Sequence, residues 1–314
     1  MPSYTAEELE ECHSKVAPYI HRTPVMRSRL LNRLSGAELF FKCENFQKGG
    51  SYKIRGATHA LLLKKEAGAL SGVVTHSSGN FAQALSLAAR NLGIPAYIVM
   101  PETAPEVKKQ GVREYGGEIF ECVPTLEARE SAAQRIQEET GAVFIHPSND
   151  PMVMLGQGTA AKELLEEVSD LENIVAPVGG GGLLGGTCLA TAFFGNGCIP
   201  VGSEPLAVDD AYRSLKAGRI MGNTTTDTIA DGLKTMLGSY TFPVLQEHVQ
   251  TIIRVTEPEI IASMKLVWER MKIVIEPSSA VALAAVLKDP GRFSGTKTGI
   301  LISGGNVDLG NLPF

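Results

Sequence analysis

Residues 72–100 read GVVTHSSGNFAQALSLAARNLGIPAYIVM. A β-branched run, VVTH, leads into a small polar turn. An apolar pattern of helical period follows, closed by Gly93, and then a second apolar run, AYIVM. Strand, helix and strand in about thirty residues make a βαβ unit. The crossover returns the chain in the same direction, so the two strands pair in parallel with the helix on one face. Ligands of such sheets bind where strands end. Ser77, Ser78, Gly79 and Asn80 occupy one such end, with more short polar groups than a helix cap alone requires.

The alternation extends both ways. TAEE (5–8) is a capping box opening an N-terminal helix. Strand 37–44 and helix 57–68 follow it. Beyond residue 100 the pattern predicts helix 105–116, strand 118–123, helix 126–141, strand 142–147, helix 152–168 and strand 173–178. Helix 183–194, strand 199–204, helices 258–271 and 279–288 and strand 298–303 complete it. The fold class is α/β, with mainly parallel sheets flanked by helices. The alternation within 71–148 is enough for its own small sheet. The expected division is therefore a large domain of residues 1–70 plus 149–314 and a small domain of 71–148.

A chain of 314 residues suits one large domain or two joined ones. Its net charge of −5, with acids and bases interspersed, argues against nucleic acid or an anionic membrane as the main partner. The longest apolar stretch, 174–194, carries six glycines and a proline and reads as strand, loop and helix rather than a membrane span. Five cysteines with no CxxC pair, and no leader-like start, suit a reducing cytoplasm. No His/Cys spacing fits a zinc motif.

APVGGGGLLGG (176–186) sets Gly179, Gly180, Gly181 and Gly182 between a strand and a helix. Without side chains, successive N–H groups can converge on one anion, helped by the helix N-terminus. This reads as a phosphate cradle. Gly180, Gly182 and Gly185 also satisfy G-x-G-x-x-G, and Glu204 ends the next predicted strand where a ribose-binding acid would stand. A nicotinamide-dependent oxidoreductase is thus a competing reading. A third glycine turn, Ser303-Gly304-Gly305-Asn306, ends the last strand. In GGSYKIRGATHA (49–60), Lys53 follows a glycine pair closely; it is either a solvated surface charge or an amine for a cofactor.

Taken in order, SYKIRGA, SSGN, the four glycines and SGGN resemble the fold-type II pyridoxal-phosphate enzymes, whose architecture is like the tryptophan synthase β subunit. The group they resemble most contains serine racemases, serine/threonine dehydratases and 3-hydroxyaspartate dehydratases. HRTPV (21–25), ENFQKGGSYKIRGA (44–57), PAYIVMPETAP (95–105), LVWERMK (266–272) and IEPSSAV (275–281) carry the resemblance along nearly the whole chain. It implies that Lys53 binds the aldehyde of pyridoxal 5'-phosphate and that Gly179, Gly180, Gly181 and Gly182 bind its phosphate. Tyr52 then packs near the ring, Asn80 bonds its hydroxyl, and Ser303 faces its nitrogen. Ser77, Ser78 and Gly79 hold the substrate, with Ser78 also the proton carrier on the face opposite Lys53. Arg129 and Thr235 fall at further substrate-side positions.

In GSEPLAVDD (202–210), Glu204, Asp209 and Asp210 are oxygen donors of the kind that suit Mg²⁺, Mn²⁺ or Ca²⁺. The resemblance places such an ion on Glu204, Asp210 and the Val208 carbonyl.

Some residues depart from the resemblance. Phe81 and Ala82 stand where His and Gly are frequent, Gly49 where Thr is common, and Tyr52 where Phe is usual. With SGGNVDL (303–309) so near residue 314, no regulatory module like that of biosynthetic threonine dehydratases is expected. A neutral hydroxyl at Ser303, in place of a carboxylate, favours elimination over a long-lived carbanion. The expected activity is loss of water from serine, threonine or 3-hydroxyaspartate, giving a 2-oxo acid and ammonia, with racemisation as an accompanying activity or the primary one. Homodimerisation is implied by the resemblance alone. A non-catalytic binding protein on the same fold is the remaining alternative.

Overall fold

The computed structural model describes residues 4–68 and 70–314. Its helices are α1 (Ala6–Val16), α2 (Arg29–Ser35), α3 (Lys53–Glu66), α4 (Asn80–Leu92), α5 (Glu106–Glu114), α6 (Leu126–Thr140), α7 (Pro151–Glu167), α8 (Gly182–Phe194), α9 (Asp210–Ala217), α10 (Thr241–His248), α11 (Glu257–Met271), α12 (Pro277–Lys288) and α13 (Pro290–Phe293). Its strands are β1 (Val25–Met26), β2 (Glu38–Cys43), β3 (Val73–His76), β4 (Ala96–Pro101), β5 (Glu118–Cys122), β6 (Val143–Phe144), β7 (Asn173–Pro177), β8 (Ile199–Pro205), β9 (Ile252–Val255) and β10 (Lys297–Ile302).

Local chemistry sets many of these boundaries. Thr5 and Glu8 close the capping box at α1. Asp150 accepts the Met152 and Val153 amides ahead of Pro151 at α7. Gly93 and Gly141, both left-handed, end α4 and α6. Two predictions shift. The helix read as 57–68 begins at Lys53, and the strand read as 142–147 contracts to Val143–Phe144. There the chain turns at His146, whose Nδ1 accepts the Ser148 and Asn149 amides at 3.1 and 2.7 Å. β1, β9, α2, α9, α10 and α13 are short elements that the alternation did not announce.

The strands form two sheets. The larger runs β1-β2-β10-β7-β8-β9, parallel except for β1, which pairs antiparallel with β2. The smaller is β5-β4-β3-β6, all parallel, and its strands all fall between residues 73 and 144. α3, α7 and α8 cross through the interior. α7 and α8 touch backbone to backbone, since a Cβ on Gly186 would lie 2.4 Å from the Gly158 nitrogen. A side chain there would force the helices apart.

α3 is further held by a buried ionic cluster. Arg55 donates to Glu44 through Nε and Nη2 at 2.7 and 2.8 Å, and to Glu163 through Nη1 and Nη2 at 2.8 Å each. Lys42 meets Glu163 at 2.7 Å. All four side chains are at most 1% exposed. The charges are paired and the geometry is bidentate, which offsets their desolvation. Arg55→Leu leaves Glu44 and Glu163 both buried, with Lys42 paired to Glu163 and, among the described residues, no base on Glu44. It is expected to cost about 3–5 kcal/mol of stability, read as a lower urea midpoint. An unchanged midpoint would mean that solvent reaches the cluster.

Candidate active site

Lys53 opens α3 and donates from Nζ to the Pro147 carbonyl at 3.0 Å. The Tyr52 and Phe81 rings lie 5.1 and 5.8 Å from Nζ. Burial pushes the Lys53 ammonium down to about 8, against the opposing charge of Glu276. A substantial fraction of this amine is therefore neutral, hence nucleophilic, near physiological pH.

Parallel pairing of β2 with β10 brings the lysine loop to the last glycine turn. Tyr52 N–H donates to the Ser303 carbonyl at 3.0 Å, and Gly305 N–H to the Gly50 carbonyl at 2.9 Å. The Ser303 hydroxyl lies 3.0 Å from Ser279 Oγ, which also accepts the Gly304 amide at 2.8 Å.

The glycine run joins β7 to α8. Gly181 has φ +83°, a left-handed conformation, and a Cβ on Gly180 would lie 2.1 Å from Ser148 Oγ. Thr241 Oγ1 donates to the Gly180 carbonyl at 2.9 Å. The amides of Gly179, Gly180, Gly181 and Gly182 are buried and find no protein acceptor among the described residues. Four such donors at a helix N-terminus fit a phosphate dianion. Thr235 packs here, 3.3 Å from a Cβ built on Gly179, on the exposed side of the loop.

Asn80 opens α4 at the end of β3. Its Nδ2 donates to both Glu276 oxygens at 2.9 Å, and its Oδ1 accepts from Asn306 Nδ2 at 3.0 Å. Ser77, Ser78 and Gly79 stand just before it, half-buried, with Gly79 extended. Arg129, on α6, is half-buried and donates from Nε to the Thr125 carbonyl at 3.3 Å. Its charge reaches His76, which immediately precedes Ser77. The His76 and His146 rings are 6.2 Å apart. Burial pushes His146 down to about 4, with the charges of His76 and Lys53 adding. That ring is therefore neutral, and because Nδ1 accepts two amides, its proton sits on Nε2.

Glu276, Asn306, His76 and His146 are the members that motif reading left without roles. Three of them lay inside quoted motifs, in IEPSSAV, SGGN and THSSGN. Only the tertiary contacts connect them.

Glu204 and Asp210 sit apart from this cluster, both fully buried. Glu204 accepts the Ala211 and Tyr212 amides at 2.9 and 3.0 Å. Asp210 accepts Asn223 Nδ2 at 2.7 Å and the Leu237 amide at 2.9 Å. Burial raises Glu204 well above the usual carboxylate range and pushes Asp210 up to about 6. Neither forms a salt bridge among the described residues, whereas neighbouring Asp209 pairs with Arg213 and Arg254. A second acidic group, Glu10, His13 and Glu166, already surrounds the Lys162 ammonium.

A desolvated lysine amine joined through the fold to an anion cradle defines an enzyme that captures an aldehyde bearing a phosphate. Residues 16–304 match the model of the pyridoxal-phosphate dependent enzymes, and the chain belongs to that family, with the fold-type II architecture. It is 49% identical over 314 residues to the beta-hydroxyaspartate dehydratase of Paracoccus denitrificans, covering 100% of this chain and 99% of that one. Among solved structures, serine racemase from Dictyostelium discoideum superposes with a TM-score of 0.93 at 48% identity, covering 97% of this chain and 99% of that one. Maize serine racemase does so with a TM-score of 0.94 at 45% identity, covering 97% and 94%. A threonine deaminase also superposes, with a TM-score of 0.93 at 42% identity, covering 98% and 99%. No helix among the described residues is long and apolar enough to cross a membrane.

Only the neutral amine attacks an aldehyde. In cofactor-free protein, the rate of pyridoxal-phosphate capture, followed by its visible band, is expected to rise through about pH 8 and level off above it. A rate still climbing to the ordinary lysine value of 10.5 would mean that Lys53 sits in water.

Proposed function

We propose that this protein is a dehydratase that removes water from a β-hydroxy amino acid and releases a 2-oxo acid and ammonia, with 3-hydroxyaspartate the best-fitting substrate. The desolvated Lys53 amine, on a loop bonded to the Ser303 turn, together with Asn80 and the four-glycine cradle, carries this reading. The name of the Paracoccus denitrificans relative supports it.

In this reading Gly179, Gly180, Gly181 and Gly182 bind the cofactor phosphate, Tyr52 packs near the ring, Asn80 donates to the ring hydroxyl and Ser303 faces the ring nitrogen. Bound there, pyridoxal phosphate is an electron sink for charge left at the substrate α-carbon. Ser77 and the amides around Gly79 hold the α-carboxylate. Lys53 Nζ takes the α-proton, which its lowered affinity allows near neutral pH. Phe81 and Tyr52 keep water from the amine. Thr235 closes the glycine side of the site.

The substrate preference rests on Arg129, a half-buried guanidinium whose charge reaches His76, next to Ser77. A guanidinium can hold a second carboxylate through two parallel bonds, and serine and threonine lack one. Racemisation is the second reading: the Ser78 hydroxyl has no hydrogen-bond partner among the described residues, leaving it free to exchange a proton on the face opposite Lys53.

Glu204, Asp210 and the Val208 carbonyl suit Mg²⁺, Mn²⁺ or Ca²⁺, because two buried carboxylates without a basic partner call for a cation. Asp210 also accepts the Leu237 amide, and Leu237 packs against Gly181. A cation there steadies the segment covering the glycines. The same reading makes 71–148 a small mobile domain against 1–70 plus 149–314, in a cytoplasmic homodimer. Five unpaired thiols suit that compartment.

Ammonia release is measured across L- and D-serine, threonine and the 3-hydroxyaspartate isomers, with fastest turnover expected on a 3-hydroxyaspartate. Arg129→Ala is expected to raise KM for that substrate at least about tenfold while leaving serine nearly unchanged. Equal loss on both would remove Arg129 from substrate selection, and no ammonia from any of them would remove the dehydratase.

Chelation near neutral pH is expected to lower Tm by a few degrees, with Mg²⁺ restoring it. Asp210 binds its proton more tightly when folded than when unfolded. The metal-free fold is therefore relieved as pH falls through about 6, and the Mg²⁺ increment shrinks over the same range. A Tm indifferent to chelation at every pH would sink the cation site.

A further inference from the structure

We infer that Glu276 is a positioning residue of this active site: its carboxyl holds the Asn80 amide in the single orientation that presents a donor to the cofactor ring oxygen. The inference rests on the reading that Asn80 bonds that oxygen.

Glu276 precedes α12 at the N-cap position, yet its side chain does not cap that helix. It points instead across to the other sheet's turn, where its two oxygens, lying together on one side of Asn80 Nδ2, share a single N–H and leave the second proton of that amide for a ligand. The backbone pins it on two sides. Its own N–H donates to the Gly304 carbonyl at 3.1 Å, and its carbonyl accepts the Ser279 amide at 3.0 Å. A Cβ on Gly304 would lie 2.8 Å from Oε1, so the glycine turn after β10 makes room for the carboxyl.

The opposite end of Asn80 is equally committed. Asn306 Nδ2 donates to the Gly49 carbonyl at 2.8 Å and to Asn80 Oδ1 at 3.0 Å. Those two bonds use both protons of the Asn306 amide. Asn80 Oδ1 must therefore face Asn306, and Asn80 Nδ2 must face Glu276. A flipped Asn80 would set donor against donor at one end and oxygen against oxygen at the other. Glu276 and Asn306 belong to the part of the chain that builds the larger sheet, and Asn80 follows a strand of the smaller one. The relay is thus also a tie between the two.

Glu276 is buried at 3% exposure. The charged and titratable groups around it are Lys53 of α3, Tyr52 before it, Lys108 of α5 and Asp231 in the turn before Leu233. Burial and the Asp231 charge raise its proton affinity, while the Asn80 bond, Lys108 and Lys53 oppose them.

The test uses holoenzyme. Glu276→Ala is expected to weaken cofactor retention about tenfold, the effect of losing one buried hydrogen bond to an ionisable group. It should also shift the maximum of the bound-cofactor visible band and the midpoint of its pH titration. Glu276→Gln keeps an acceptor oxygen for Asn80 but cannot titrate. It should recover most of the cofactor affinity, keep the displaced pH midpoint, and decide the matter if the alanine variant does not fold. Asn80→Ala should shift the same band, and the double variant should be less than additive. If Asn80→Ala shifts the band while Glu276→Ala and Glu276→Gln keep the wild-type band, midpoint and affinity, the inference is overturned and the Asn80 reading stands. If Asn80→Ala leaves the band untouched, that reading falls and the inference falls with it.

Discussion

β10 lies in parallel register against β2, Lys297 beside Glu38 and Ile302 beside Cys43. More than 250 residues separate the two strands in the chain, and backbone hydrogen bonds hold them side by side. Because they run the same way, their carboxyl ends emerge together. The loop after β2 carries the lysine, and the turn after β10 carries Ser303 and Asn306. β7, on the other side of β10, delivers the glycine run to the same edge. The meeting of the lysine loop, Ser303, Asn306 and the glycine run descends from that shared direction.

Holding a lysine amine out of water is costly unless its surroundings are rigid and its charge is easily given up. Both conditions are met by neighbours of opposite character. The Tyr52 and Phe81 rings lower the local polarity. Two residues further along the same helix, Arg55 is clamped by four charged hydrogen bonds to two carboxylates. The first turn of α3 is thus anchored by ion pairing at the place where it presents an amine that gives up its charge more readily. The departure at Phe81 belongs to this arrangement: an apolar ring there favours the neutral amine.

The nicotinamide alternative is removed by the placement of one acid. Glu204 was the residue that a ribose would need, and it is buried with both oxygens on the Ala211 and Tyr212 amides. At 0% exposure it presents no surface to a ribose. G-x-G-x-x-G matched in letters, and the glycines do line a strand-to-helix turn, but the partner that distinguishes a dinucleotide from a phosphate alone is engaged elsewhere. The family match over residues 16–304 agrees.

Alternating strands and helices were legible because short apolar runs, helical periodicity and glycine stops are local properties. The same holds for the four glycines and SSGN, where unusual residue types crowd at strand ends, whereas Lys53 took its role from the resemblance alone. Six short elements were not legible, β1 and β9 among them, because two- and four-residue strands exist only through the neighbour they pair with. Glu276 and His146 were invisible for the same reason. A glutamate before Pro277 reads as a helix start, and a histidine before Pro147 as a turn. Their chemistry arises when a distant asparagine or lysine arrives beside them. The order of residues thus decided which groups the chain has to offer at its strand ends. Only the packed sheets decided which of them meet, because proximity between residues far apart in the chain is set by strand order and burial, quantities that no short window of sequence contains.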